Sequence, residues 1–345
     1  MTKIVHVLFS AKLGGAEQVV INISQGLSEF YDFTYCSQAG SIQESLQAAG
    51  IAYQSFSPKH LLKFRRAILA LQPDIIHAHD FKASFLVNLL FHHVPIITHI
   101  HQAPAWQTSV NWKSLAFQYI GNKSSRVLYV SDWAMQSYVF HNHLSNTAII
   151  PNGIDSSRVR QLATVSTTTA FDLLFVGRLE DVKDPARFVR IAHKLLDAIP
   201  ELKIGIVGDG SLSTPIAKQI AATPQIRWLG FKSNLYKYMR HAKVVLSTSK
   251  SDAFGLTMVE AALLGAIPFA PRIGGISQTA ARVNGLVYAS DAELLAVLTR
   301  LFSDGKFYQE TKAKIAAVDF SDYEQRQFIQ RIQQVYKGVM ERPLQ

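Results

Sequence analysis

The residues best suited to chemistry fall in loops that follow short apolar runs. The sharpest case is Gly177-Arg178-Leu179-Glu180-Asp181-Val182-Lys183-Asp184, directly after FDLLFV (171–176). Arg178 and Lys183 are two cations just beyond a strand end. Such a pair can neutralise a diphosphate as it departs. Taken alone, the same loop reads better as a solvated turn with local ion pairs. No Asp-x-Asp pair occurs in the chain, so fixed cations and amide dipoles are the means at hand to hold such a group, without a metal ion.

Other loops carry related signals. Gly208-Asp209-Gly210 follows KIGIV (203–207) and lets the backbone pass close to a flat base or a ribose. Ser249–Ala261 holds Asp252 in a loop, then Phe254-Gly255-Leu256 at a helix start with free amides, then Glu260 inside that helix. Glu260 shares a face with Met258, Val259, Ala261 and Leu263. A carboxylate there is costly unless it has a partner, and a ribose diol is a natural one. Arg272-Ile273-Gly274-Gly275 follows AIPFA (266–270), and Gly14-Gly15-Ala16-Glu17 opens the first helix, where a backbone anion site can form. His77 and His79 form one pair near a strand end, and His99 and His101 another. No cysteine or carboxylate cluster completes a metal site around them, so they read as polar residues lining a cleft.

These loops need elements to position them. Strand-like runs alternate with helical patterns: IVHVLF (4–9), FTYCS (33–37), AYQSF (52–56), DIIHA (74–78), PIITHI (95–100), RVLYV (126–130) and TAII (147–150), then 171–176, 203–207, IRWL (226–229), KVVLS (243–247), 266–270 and GLVY (285–288). Short runs without alternation suit parallel strands buried on both faces. Helical periods fall at 16–27, 64–72, 184–199 and 256–265. The alternation predicts an α/β chain of two Rossmann-like doubly wound domains. ATVSTTTA (163–170) reads as the linker, giving a first domain over 1–165 and a second over 166–321. The last helical stretch, about 322–345, returns to the first domain.

Composition narrows the partners. The formal charge of +10 suits phosphorylated partners, an anionic membrane face or an evenly basic surface. Nucleic acid is set aside because none of its usual binding motifs is present. One cysteine, Cys36, gives no internal disulfide, and no run approaches a membrane span. With no export signal read at the N-terminus, a cytoplasmic protein is expected. Lys59–Arg66 mixes basic and apolar residues and is a candidate for peripheral contact with the cell membrane's inner, anionic face. Trp106 and Trp112 are candidates to stack on acceptor sugars and equally candidates for the core.

Taken together, these stations resemble the GT-B glycosyltransferases, and among them the large retaining family 4 (glycosyl transferases group 1). The resemblance runs from Gly14 to about Gly285 and is carried by GRLEDVKD, GDG and SDAFGLTMVEA in that order. PNGID (151–155) is similar to the family's interdomain segment. The resemblance implies two domains facing across a cleft and a donor bound mainly by the second. Arg178 and Lys183 would hold the diphosphate, and Glu260 the ribose. Asp252 would contact the transferred sugar, and His101 would lie near it. The Phe254, Gly255 and Leu256 amides would cradle the distal phosphate, with Gly15 completing the cradle. Gly208 and Asp209 would border the base.

The implied activity is retaining transfer of a hexosyl or N-acetylhexosaminyl unit from a nucleotide-sugar, a UDP-sugar by default, to a saccharide or lipid-linked acceptor in surface polysaccharide synthesis. No cofactor is implied. Two positions depart from the family: Asp252 stands where Glu is usual, and Gln278 where Glu is frequent. An epimerase of the same fold and an inactive binding relative are the alternatives.

Overall fold

The computed structural model describes residues 1–57, 60–167 and 169–341. The apolar runs form thirteen strands among the described residues: β1 Thr2–Val7, β2 Tyr31–Ser37, β3 Ala52–Ser55, β4 Ile75–His79, β5 Ile96–Ile100, β6 Arg126–Tyr129, β7 Thr147–Ile149, β8 Phe171–Val176, β9 Ile204–Val207, β10 Ile226–Trp228, β11 Ala242–Leu246, β12 Ile267–Pro271 and β13 Leu286–Tyr288. Every residue of β4, β5, β9 and β12 is buried. That accounts for their lack of apolar–polar alternation.

Two all-parallel sheets result. Their orders are β3-β2-β1-β4-β5-β6-β7 and β10-β9-β8-β11-β12-β13. Each is wound outward from its first strand in both directions, so strand order reverses between β1 and β4 and between β8 and β11. Ligands of open α/β sheets bind outside the carboxyl ends at such switch points. The loops after β1, β4, β8 and β11 are therefore the ones to read for chemistry.

The chain divides into two compact units, one of Met1–Gly153 with the stretch from Gln325, the other of Ile154–Glu324. The division falls ahead of the boundary expected at 165. The reason is local: Ser156–Ala163 is helical, and the Leu162 carbonyl accepts from Asn234 Nδ2 at 2.8 Å, which ties this helix to the second unit. Within that unit Ile154 also bridges to Glu324. Thr168 of the expected linker lies outside the described residues. The helix Gln325–Met340 buries Phe328, Ile329, Ile332, Tyr336 and Val339 in the first unit's core with Ile4, Ile23 and Leu128. The last four residues of the stretch expected there, 342–345, lie outside the described residues. No helix among the described residues is long and apolar enough to cross a membrane.

Candidate active site

In the second unit, loops after β8 and β11 are sewn together at the strand-order reversal. The Thr248 hydroxyl, just past β11, donates to the carbonyls of Lys183 and Asp184 at 3.1 and 2.8 Å. Asp184 adopts a left-handed backbone (φ 47°), and its carboxylate caps the helix Pro185–Ala198. Lys183 is thereby aimed across the reversal, and its Nζ lies 2.5 Å from Asp252 Oδ2. The two side chains remain 26% and 17% exposed, so a ligand can still reach the pair. Asp252 Oδ1 accepts from the Phe254 N–H at 3.2 Å. Arg178 is exposed and has no side-chain partner among the described residues.

Two positions in and beside these loops require glycine. Gly208 has φ +141°, and a Cβ there would sit 1.8 Å from the Gly177 carbonyl oxygen. Gly255 has φ +81°, and a Cβ would sit 2.4 Å from Ile276. Gly255 N-caps the helix Leu256–Leu263. The amides of Gly255 and Leu256 have no acceptor among the described residues, whereas that of Phe254 is taken by Asp252. The Phe254 side chain is core, 6.2 Å from the Tyr323 ring. Asp209 is also engaged: its carboxylate accepts from the Ser213 hydroxyl and from the Gly210 N–H at 2.8 Å. Those bonds, Ser213 first, hold its pKa below the usual carboxylate value. Asp209 therefore organises its loop more than it offers a free acid.

Glu260 lies in the second half of the helix Leu256–Leu263 and is partly buried. Burial pushes its carboxyl up to about 7, against the opposing effect of Tyr236, whose hydroxyl donates to Oε1 at 3.1 Å. Tyr236 is a partner within the chain, where the sequence reading had named only a ribose diol. It sits in a short helix, Tyr236–Arg240, with no motif to mark it. Thr248 escaped notice for a similar reason: a strand-end threonine is common.

The remaining expected residues belong to the first unit. Gly15 starts the helix Gly15–Gly26 and is exposed, and a Cβ there would meet nothing. His101 follows β5; its N–H donates to Asp80 Oδ1 at 2.9 Å, and burial lowers its imidazole to about 3. Asp80 itself is raised by burial to about 6. The two histidine pairs join a larger cluster that includes His6 on β1. His6 Nδ1 lies 2.9 Å from His79 Nε2, and His79 Nδ1 lies 2.8 Å from His101 Nε2. His77 Nδ1 meets the Tyr336 hydroxyl at 2.8 Å. Two triads, His6-His77-His79 and His79-His99-His101, have ring nitrogens within 4.8 Å of one another. Nitrogens around tetrahedral zinc stand about 3.3 Å apart, given zinc–nitrogen bonds near 2.0–2.1 Å. The 2.8 and 2.9 Å contacts are hydrogen-bond distances instead.

Comparison with known proteins gives a consistent outcome. Residues 13–158 match Glycosyltransferase Family 4, and residues 163–317 match glycosyl transferases group 1. The glycogen synthase of Mycobacterium tuberculosis is 26% identical over 272 residues, covering 71% of this chain and 64% of that protein. The chain thus spans just under two thirds of that relative's length. A 2-deoxystreptamine N-acetyl-D-glucosaminyltransferase of Niallia circulans is 31% identical over 147 residues, 41% of this chain and 36% of that one. Among solved structures, Anabaena Alr3699/HepE in complex with UDP superposes with a TM-score of 0.82 at 20% identity, over 98% of this chain and 100% of that one. A glycosyltransferase from Rickettsia africae gives 0.77 at 16% identity, over 99% of each chain. The fold is GT-B, two Rossmann-like domains. With consecutive family matches falling largely one on each unit, the chain belongs to the family 4 glycosyltransferases, the glycosyl transferases group 1.

Proposed function

We propose that the protein transfers a hexosyl or N-acetylhexosaminyl unit, with retention, from a UDP-sugar to a saccharide or lipid-linked acceptor in surface polysaccharide synthesis. The observation that carries this reading is the Lys183–Asp252 pair at the β8/β11 reversal, beside the open amides of Gly255 and Leu256. Lys183 and Arg178 take the diphosphate. Gly255 and Leu256 donate to the distal phosphate, with Gly15 assigned to the same group. Asp252 reads a hydroxyl of the transferred sugar, and His101 is assigned to that sugar too. Glu260 accepts from the ribose, and the Gly208-Asp209 corner borders the base.

Chemically, the acceptor attacks on the face from which the diphosphate leaves. The leaving phosphate takes the acceptor's proton, while cations and amides stabilise the departing charge. No metal is assigned to this step, because cationic side chains meet that charge. UDP is favoured as the nucleotide, the one bound in the Anabaena neighbour's complex.

A lipid-linked acceptor at an anionic membrane is supported by the exposed side chains of three helices. Helices Leu61–Ala70, Asp80–Leu90 and Trp112–Lys123 expose Leu62, Phe85, Leu89, Trp112, Leu115 and Tyr119. Lys63, Arg65, Arg66, Lys82 and Lys123 are exposed on the same helices, whose two ends and span contain no acid but Asp80. Apolar, aromatic and basic side chains together suit a headgroup layer. Lys59, the first residue of the segment expected to make this contact, lies outside the described residues.

The test is a panel of UDP-, GDP- and ADP-sugars with saccharide acceptors, followed by NMR of the product's anomeric centre. Acceptor-dependent release of the nucleoside diphosphate with an α-linked product supports the proposal. An altered nucleotide-sugar formed without acceptor would favour an epimerase, and a β-linked product would remove retention.

A further inference from the structure

His6, His79 and His101 form an unbroken chain of ring-to-ring contacts: Nδ1 to Nε2 at 2.9 Å, then Nδ1 to Nε2 at 2.8 Å. The two outer nitrogens, His6 Nε2 and His101 Nδ1, are buried without a partner. Among the described residues no carboxylate hydrogen-bonds to any of the three rings. Burial, joined at His6 and His79 by repulsion from neighbouring histidines, pushes all three pKa values far below the usual imidazole range. Each ring is therefore neutral, with one N–H and one bare nitrogen.

That arithmetic leaves two arrangements in which both contacts are hydrogen bonds. Either all three rings carry the proton on Nδ1, or all three carry it on Nε2. Any mixture sets two lone pairs or two N–H groups against each other at a contact. The two arrangements differ in where one N–H is left without an acceptor. With Nε2–H it is on His6, a residue with no exposed surface; with Nδ1–H it is on His101, whose Nδ1 is buried too but which is the one residue of the three that is partly exposed, so that end of the chain stands closest to water. A buried N–H without an acceptor is costly, and more so than a bare lone pair.

We propose that His79 is a positioning residue that holds His101 in the Nδ1–H form, by donating from its own Nδ1 to His101 Nε2. His6 sets His79 in the same way from the other side. Changing the whole chain to the other form replaces three Nδ1–H bonds with three Nε2–H bonds. One proton is gained at His6 Nε2, two cross the contacts, and one is lost from His101 Nδ1, with no net charge formed; the two end nitrogens are buried, so they exchange with water only when the site opens. His101 is thereby a hydrogen-bond donor at Nδ1, suited to an oxygen that accepts. This holds whether or not the proposed sugar site is correct, because it concerns proton positions in the unliganded chain.

The experiment is long-range 15N–1H correlation NMR on the histidine-labelled full chain. The expected result is one shared Nδ1–H pattern for His6, His79 and His101. In His79→Phe, which keeps a ring but has no donor, His101 should lose its exclusive Nδ1–H form. His79→Gln, whose amide can donate to Nε2, should restore it. His99→Phe removes a ring only 4.1 Å from His101 that makes no hydrogen bond to it, and should leave the pattern unchanged. The proposal is overturned by different tautomers within the wild-type chain, by a charged ring at neutral pH, or by a His101 pattern that His79→Phe leaves intact. Metal analysis finding one bound ion per chain, with the ring nitrogens shifted as ligands, would overturn it too.

Discussion

Lys183 Nζ and Asp252 Oδ2 stand 2.5 Å apart, although they are 69 residues apart in the chain and come from loops on either side of a strand-order reversal. The pair makes Lys183 a cation already held by a carboxylate. A diphosphate arriving there must share or displace that contact. In Asp252→Asn the lysine is released, so UDP should bind up to about tenfold more tightly, an electrostatic gain of about 1.4 kcal/mol. Sugar transfer should fall in the same variant, because the sugar-reading carboxylate is gone. Calorimetry with UDP and steady-state rates measure the two effects; weaker UDP binding would mean that Asp252, and not Lys183, faces the nucleotide.

Glu260 makes stability depend on pH. Its carboxyl is raised from 4.5 to about 7 in the folded chain, chiefly by burial. Between those values the folded chain holds a proton that the unfolded chain has lost. Stability from this group is therefore full below about 4.5 and lost as pH rises through about 7. Allowing for partial exposure, the loss is on the order of 2 kcal/mol. Glu260→Gln cannot ionise, so its thermal midpoint should gain on the wild type between pH 5 and 8. Parallel pH curves for the two proteins would show that Glu260 is not desolvated.

Glycine positions separate structural from ligand roles. Gly274 has φ +58°, and a Cβ would stand 2.5 Å from the Asp252 carbonyl oxygen. Gly274→Ala should cost about 1–3 kcal/mol from left-handed strain alone, visible as a lower denaturation midpoint. Gly15→Ala should leave that midpoint within about 0.5 kcal/mol, because nothing in the fold opposes its methyl. If Gly15 meets the distal phosphate, the same variant weakens nucleotide binding; unchanged affinity for UDP would take Gly15 out of the site.

The apolar and basic helices of the first unit should bind vesicles. Co-sedimentation with phosphatidylserine-rich vesicles should exceed that with neutral ones and fall with salt. Trp112→Ser combined with Tyr119→Ser should reduce it about tenfold, since each removes exposed aromatic area (68% and 62% exposed) and neither supports the core. Equal sedimentation of both proteins would remove this surface from the account.

The sheets were legible because buried parallel strands are short apolar runs, and each of the thirteen runs is a strand. Gly255 and Gly208 were legible as special because only glycine tolerates their backbone. The unit boundary was expected later because the Ser- and Thr-rich stretch 163–170 looks like linker, while the helix before it, Ser156–Ala163, with Val159 and Ala163 buried, belongs to the second unit. Tyr236 and the histidine chain were invisible for a different reason. Their contacts join residues 24, 73 and 22 positions apart, and only sheet topology brings them together. Asp209 and the Phe254 amide looked free as sequence but are spent on loop bonds.

The central claim is a nucleoside diphosphate held by Lys183 and Arg178 without a metal ion. Calorimetric titration of UDP, GDP and ADP in EDTA-containing buffer tests it most directly. The account predicts that UDP binds best, at micromolar concentration, and that Lys183→Ala and Arg178→Ala each weaken it by roughly 2–5 kcal/mol if the contacts are desolvated on binding. Binding that vanishes in EDTA and returns with a divalent cation, or that both substitutions leave unchanged, would contradict it.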